Sequence, residues 1–98
     1  MARQTTVRYT TRDEQAAAEN QRLIDAVFAE PAETRPDGLR YTVTRLDDGL
    51  SFVHVAVVTG ESNPLLENAA FRAFSSTVGE RAVEPPVAVS GEVVASFG

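Results

Sequence analysis

From Thr5 to Thr11 the chain alternates in polarity and is rich in β-branched and aromatic residues, which predicts a first strand. The period then lengthens. Ala16, Ala17, Leu23, Ile24, Val27 and Phe28 recur at helical spacing, with Arg22 and Asp25 on the other side. Asp13 is the expected N-cap, and Glu14 follows it near the positive end of the helix dipole. Pro31 disfavours helical geometry at Glu30, so the helix is expected to stop or kink there. A polar connector from Glu33 to Asp37 then leads to Gly38, which suits a left-handed turn into the next strand.

Leu39 to Leu46 and Leu50 to Val58 are two strand-like runs around Asp47-Asp48-Gly49, the signature of a hairpin. Two registers fit it. A two-residue Asp48-Gly49 loop puts Tyr41 and Val43 on one face with Phe52, His54 and Ala56. A three-residue loop with a bulge at Gly49 pairs Leu46 with Leu50, so that Leu39, Tyr41 and Val43 share a face with Val53, Val55 and Val57. The second yields one aliphatic face and one mixed polar face carrying Arg40, Thr42, Thr44, Phe52 and His54, and is the register expected on burial grounds.

After a loop from Gly60 to Asn63, Asn63-Pro64 offers a cap and a first-turn proline for a second helix. Its apolar stripe is Ala70, Phe71, Phe74 and Val78, and Gly79 is the expected stop. Glu84-Pro85-Pro86 is extended, and Val87 to Phe97 reads as a last strand with a bulge or bend at Gly91. The order β-α-β-β-α-β predicts a ferredoxin-like α+β fold: a four-stranded antiparallel sheet with two helices on one face and right-handed crossovers. By alternation the uncovered face should carry Thr6, Arg8, Thr10, Arg40, Thr42, Thr44, Phe52, His54, Ser90 and Glu92.

The 98 residues are read as one domain, 1–98, large enough to bury roughly 65% of the surface of its unfolded chain. Composition changes this picture mainly by exclusion. The net charge is −5 and all nine basic residues are arginine, with no basic stripe, so nucleic acid is not an expected partner. Without cysteine, disulfides, thiolate metal sites and cysteine nucleophiles are excluded, and one histidine gives a transition metal little to bind. No apolar run reaches the roughly 20 residues of a membrane span, and the polar start is unlike a signal peptide, so the expected location is cytoplasmic.

Several local patterns carry a resemblance. They are Glu19-Asn20-Gln21-Arg22-Leu23-Ile24 through Val27-Phe28, Gly38-Leu39-Arg40-Tyr41, Arg45-Leu46-Asp47-Asp48-Gly49, Phe52-Val53-His54-Val55-Ala56, Asn63-Pro64-Leu65 and Glu84-Pro85-Pro86-Val87. Together they span most of the chain and resemble the dimeric α/β-barrel superfamily, particularly the antibiotic biosynthesis monooxygenase-like proteins. The resemblance implies a homodimer whose two sheets face each other as a barrel. It also implies oxidation of quinol-like or anthrone-like aromatics by oxygen without metal or flavin, although some relatives degrade haem instead.

On that reading the barrel cavity holds a small aromatic ligand, no cofactor and no metal. His54, the single histidine, is the candidate catalytic base, because imidazole titrates near neutrality. Tyr41, Arg40, Phe52 and Asn20 are the candidate substrate contacts, with Tyr9 as a second ring that could orient the ligand and Arg8 and Arg45 as further partners for a phenolate oxygen or for Glu92. Each has a plainer explanation: a hydrogen-bonded strand histidine, solvated arginines, core aromatics, and a helix-edge amide touching water. Asp47 and Asp48 are accounted for by turn chemistry, and Ser75-Ser76-Thr77 lacks a nearby histidine for a hydrolase triad. The alternative function is a non-catalytic small-molecule-binding or structural dimer of the same fold.

Overall fold

The computed structural model describes residues 2–29, 38–59 and 64–95. Its elements are β1 (Arg3–Thr10), α1 (Glu14–Ala29), β2 (Leu39–Arg45), β3 (Ser51–Val58), a short 3₁₀ helix (Pro64–Glu67), α2 (Ala69–Arg81) and β4 (Val87–Glu92). The strands form one antiparallel sheet in the order β2-β3-β1-β4, as the ferredoxin-like reading requires. Both helices contribute to a core of Tyr9, Ala17, Ile24, Val27, Phe52, Leu65 and Phe74.

Local chemistry sets most element ends. The Asp13 carboxylate accepts a hydrogen bond from the Ala16 amide at 2.8 Å, capping α1 as its sequence predicts. Gly38 enters β2 with φ 81°, in the region where a side chain would clash. α2, by contrast, starts later than expected. A 3₁₀ turn occupies Pro64–Glu67, and Asn68 is the cap, its side chain accepting from the Phe71 amide at 2.9 Å. The last strand ends at Glu92, short of the expected Phe97, with Val93 to Ala95 outside the ladder. The expected cap at Asn63 and the connector around Pro31 lie outside the described residues.

Gly79 does not stop α2; the helix runs on to Arg81. Two backbone bonds hold its end against β1: Arg12 N–H donates to Arg81 O at 3.0 Å, and Val83 N–H donates to Thr10 O at 2.8 Å. Gly91 makes no bulge either, and stays in ladder register opposite Gln4.

The hairpin register corrects the expectation most. Tyr41 faces Ala56, Val43 faces His54, and Arg45 faces Phe52, so the bulged alternative is excluded. The turn explains why. One Asp48 oxygen accepts from the Leu50 and Ser51 amides and the other from the Ser51 hydroxyl, while Gly49 takes φ 74° and donates to Leu46 O. Asp47 to Leu50 therefore form the loop, closed by Leu46 N–H bonding Ser51 O. This register buries Phe52 completely and leaves Val53, Val55 and Val57 on the open face. Ser90 and Glu92 also change faces, because Ser90 pairs with Thr5 and Glu92 with Arg3, on the side of His54 and Ala56. Thr6, Arg8, Thr10, Arg40, Thr42 and Thr44 stand on the open face as expected, but with valines between them.

Candidate functional site

The register brings His54 under the helices, where it is 5% exposed. Tyr9, its neighbour on β1, and Tyr41, on β2, reach it from either side. Tyr9 Oη lies 2.7 Å from Nε2, and Tyr41 Oη lies 2.7 Å from Nδ1. The Phe74 ring packs at 5.2 Å from the imidazole, and Phe28 stacks on Tyr41. This aromatic shell removes water, and burial pushes the His54 pKa down from 6.5 to about 4. Burial also raises Tyr9 to about 12 and raises Tyr41, so both phenols keep their protons near neutrality.

The hydrogen bonds continue inward. Asn20, on α1 and wholly buried, donates through Nδ2 to Tyr9 Oη at 2.8 Å. Its Oδ1 accepts from Arg81 Nε at 2.9 Å. Arg81 is 6% exposed, and it also donates to Thr77 Oγ1 at 2.8 Å and lies over the Phe74 ring at 5.3 Å. The helix-edge account of Asn20 is therefore replaced by a buried polar chain: Arg81, Asn20, Tyr9, His54, Tyr41.

Proton counting gives this chain a direction. Arg81 can only donate, which makes Oδ1 the acceptor of Asn20 and Nδ2 its donor. If His54 carried its proton on Nε2, Tyr9 would accept twice and its own buried hydrogen would have no acceptor. With the proton on Nδ1, Tyr9 donates to Nε2 and Nδ1 donates to Tyr41 Oη. The one hydrogen left over then sits on Tyr41, the less buried of the two tyrosines. This tautomer gives the buried Tyr9 hydrogen its acceptor. Every bond from Arg81 outward then points the same way, and the hydroxyls polarise one another along it.

Tyr41 stands at the wall of a half-enclosed cavity of about 170 Å³ between the sheet and α2. Val7, Ala56, Leu65, Phe71 and Val78 make much of its lining, with Thr5, Ser75 and the His54–tyrosine group as its polar parts. Thr5 Oγ1 is engaged with Ser90 Oγ, and the Ser75 hydroxyl donates to Arg72 O. The Tyr41 hydrogen is thus a donor this cavity can offer to a ligand.

Of the candidates read from sequence, His54, Tyr41, Asn20 and Phe52 come together. Phe52 does so as a packing group, its ring stacked at 5.7 Å on Tyr9, not as part of the cavity wall. Arg40 and Arg8 stand on the opposite face of the sheet, and Arg45 donates to Gly49 O in the hairpin. Tyr9 and Arg81 were not foreseen as partners of His54. The signal for Arg81 was its spacing from Thr77 and Phe74, i−4 and i−7 on one helix face, which an end at Gly79 conceals. Among the described residues no group of three or more His, Cys, Asp or Glu is placed to hold a metal, and no helix is long and apolar enough to cross a membrane.

No family model and no curated protein matches the chain. Solved structures do. SnoaB from Streptomyces nogalater, a cofactor-independent oxygenase, is 20% identical with a TM-score of 0.70, over 98% of this chain and 96% of its own. A protein of antibiotic biosynthesis monooxygenase type from Caulobacter crescentus is 16% identical with a TM-score of 0.73, over 96% and 91%. A dimeric ferredoxin-like protein from an uncultured marine organism is 11% identical with a TM-score of 0.66, over 98% and 90%. The chain has the ferredoxin-like fold of the antibiotic biosynthesis monooxygenase-type proteins. At these identities the likeness extends to the fold alone.

Proposed function

We propose that this protein is a cofactor-independent monooxygenase of small aromatic substrates, working as a homodimer. The observation that carries the reading is the one-way donor chain from buried Arg81 to a free hydroxyl hydrogen at an apolar cavity. A donor so placed stabilises negative charge developing on a substrate oxygen, the task of an oxyanion site. An aromatic ketone or phenol held there ionises to an electron-rich enolate or phenolate, which dioxygen can oxidise directly. For a phenol the balance is C₆H₅OH + O₂ → C₆H₄O₂ + H₂O, one oxygen atom entering the ring carbon para to the hydroxyl, and the substrate supplies all four electrons.

The geometry modifies the part of His54. Both ring nitrogens are taken by tyrosines, so direct proton abstraction would break one of those bonds. His54 therefore acts through Tyr41, holding and polarising it, while the substrate proton leaves to water at the cavity mouth. Oxygen uptake over a panel of phenolic and anthrone-like compounds tests this. The Tyr41→Phe variant should lose about a hundredfold in kcat, the scale of one lost oxyanion donor, with its circular dichroism unchanged. Wild-type uptake no faster than buffer would leave the alternative, a dimer that binds aromatics without turning them over.

The dimer rests on the open sheet face. Val53, Val55 and Val57 line up with Val87 and Val89, which are 63% and 64% exposed, and these last two line, with Thr6, Arg8 and Thr10, a hollow of about 560 Å³. Facing two such sheets would bury this apolar strip on both copies. Light scattering over a dilution series should give about twice 10.6 kDa, and Val55→Arg should reduce it to the single-chain mass.

A further inference from the structure

The size and wall chemistry of the cavity restrict its ligand, and the restriction rests on the functional reading above. We propose that the site takes an uncharged, single-ring phenol or quinol, its oxygen on the Tyr41 hydroxyl, and excludes fused-ring and anionic aromatics. Three observations support this. The volume, about 170 Å³, is close to the ~150 Å³ that accommodates benzene in an apolar protein cavity and well below the ~300–1,000 Å³ of pockets for drug-sized ligands. The wall at Tyr41 is braced, by Phe28 stacked at 5.1 Å and by Phe71 edge-on at 6.1 Å. Among the described residues, no cationic side chain lines the cavity, so a ligand carboxylate would lose its hydration without an ion pair.

The polar complement also counts ligand oxygens. The Ser75 hydrogen goes to Arg72 O and Thr5 Oγ1 is bonded to Ser90 Oγ, so a ligand hydroxyl meets its donor at Tyr41.

Anaerobic titrations with phenol, p-cresol, toluene, benzoate and anthrone, followed by the methyl signals of Val78 and Leu65, would test the proposal without depending on turnover. Phenol and p-cresol should shift those methyls, toluene should bind about tenfold more weakly, and benzoate and anthrone should leave them in place. Tyr41→Phe should bring phenol down to the affinity of toluene. Because that change also unpairs His54, a second variant is needed: Ala56→Leu, which fills the cavity and should abolish binding of every ring. Anthrone binding as tightly as phenol, still sensitive to Ala56→Leu, would overturn the one-ring restriction and leave the aromatic site standing. Benzoate binding as tightly as phenol would overturn the exclusion of anions. No response to any of the five would overturn both the restriction and the functional reading.

Discussion

Replacing Asn20 with leucine should cost about 3 kcal/mol of stability and lower the melting temperature by about 15 °C. The substitution keeps the branching and the heavy-atom count of a fully buried side chain. It removes the acceptor of Arg81 Nε and the donor to Tyr9 Oη together. A buried guanidinium that loses a partner is more costly than a neutral group in the same position. Thermal unfolding by circular dichroism measures this, and a loss below about 1 kcal/mol would mean that the amide is not what holds the chain together.

Asn20→Asp separates polarity from packing. The new carboxylate still accepts from Arg81 and should tolerate burial beside a guanidinium, so the fold should survive. It has no hydrogen to donate, however. Tyr9 must turn its own hydrogen toward the carboxylate, His54 must then carry its proton on Nε2, and Tyr41 must donate to Nδ1. The free hydrogen at the cavity disappears. Nitrogen-15 chemical shifts of the imidazole should report the change of tautomer, and oxygen uptake should fall as far as in Tyr41→Phe. An unchanged tautomer would refute the direction assigned to the chain.

Acid should destabilise the protein well before its carboxylates titrate. The folded His54 has a pKa of about 4 against 6.5 for an ordinary histidine, so below pH 6.5 the unfolded chain binds a proton that the folded one refuses. The stabilisation is complete above pH 6.5 and is lost as pH falls toward 4, at about 1.4 kcal/mol per pH unit and about 3 kcal/mol in all. Glu19 and Asp48 are both shifted to lower pKa, so their losses come at lower pH still. Urea unfolding from pH 7 to 5 isolates the histidine. His54→Gln should flatten the dependence over that range, and a wild type equally flat would contradict the burial of a neutral imidazole.

The sequence made the architecture legible because strand and helix periods, the Asp13 cap and the Gly38 turn are local signals, and the structure follows them. The site was harder to read for a specific reason. Placing valines inside and Phe52 and His54 outside is the better sorting by hydropathy alone. The actual register places a histidine inside, and it is acceptable there only because two tyrosines, an asparagine and an arginine from four other elements satisfy it and one another. That mutual satisfaction is non-local, so neither residue type nor spacing reveals it. The Asp48 contacts that select the register are side chain to backbone, and whether a loop counts two, three or four residues turns on them.

The last strand has a consequence of a different kind. β4 is exposed along all of its six residues and hydrogen-bonds only to β1, whereas β3 lies between two partners. Its amides should therefore exchange with deuterium far sooner than those of β3, through local opening that leaves the rest folded. None of the residues lining the cavity belongs to β4, and neither does any member of the Arg81–Tyr41 chain. The edge of the sheet can thus fray and reseal on its own timescale, releasing Thr5 from Ser90 while the Arg81–Tyr41 chain keeps its geometry.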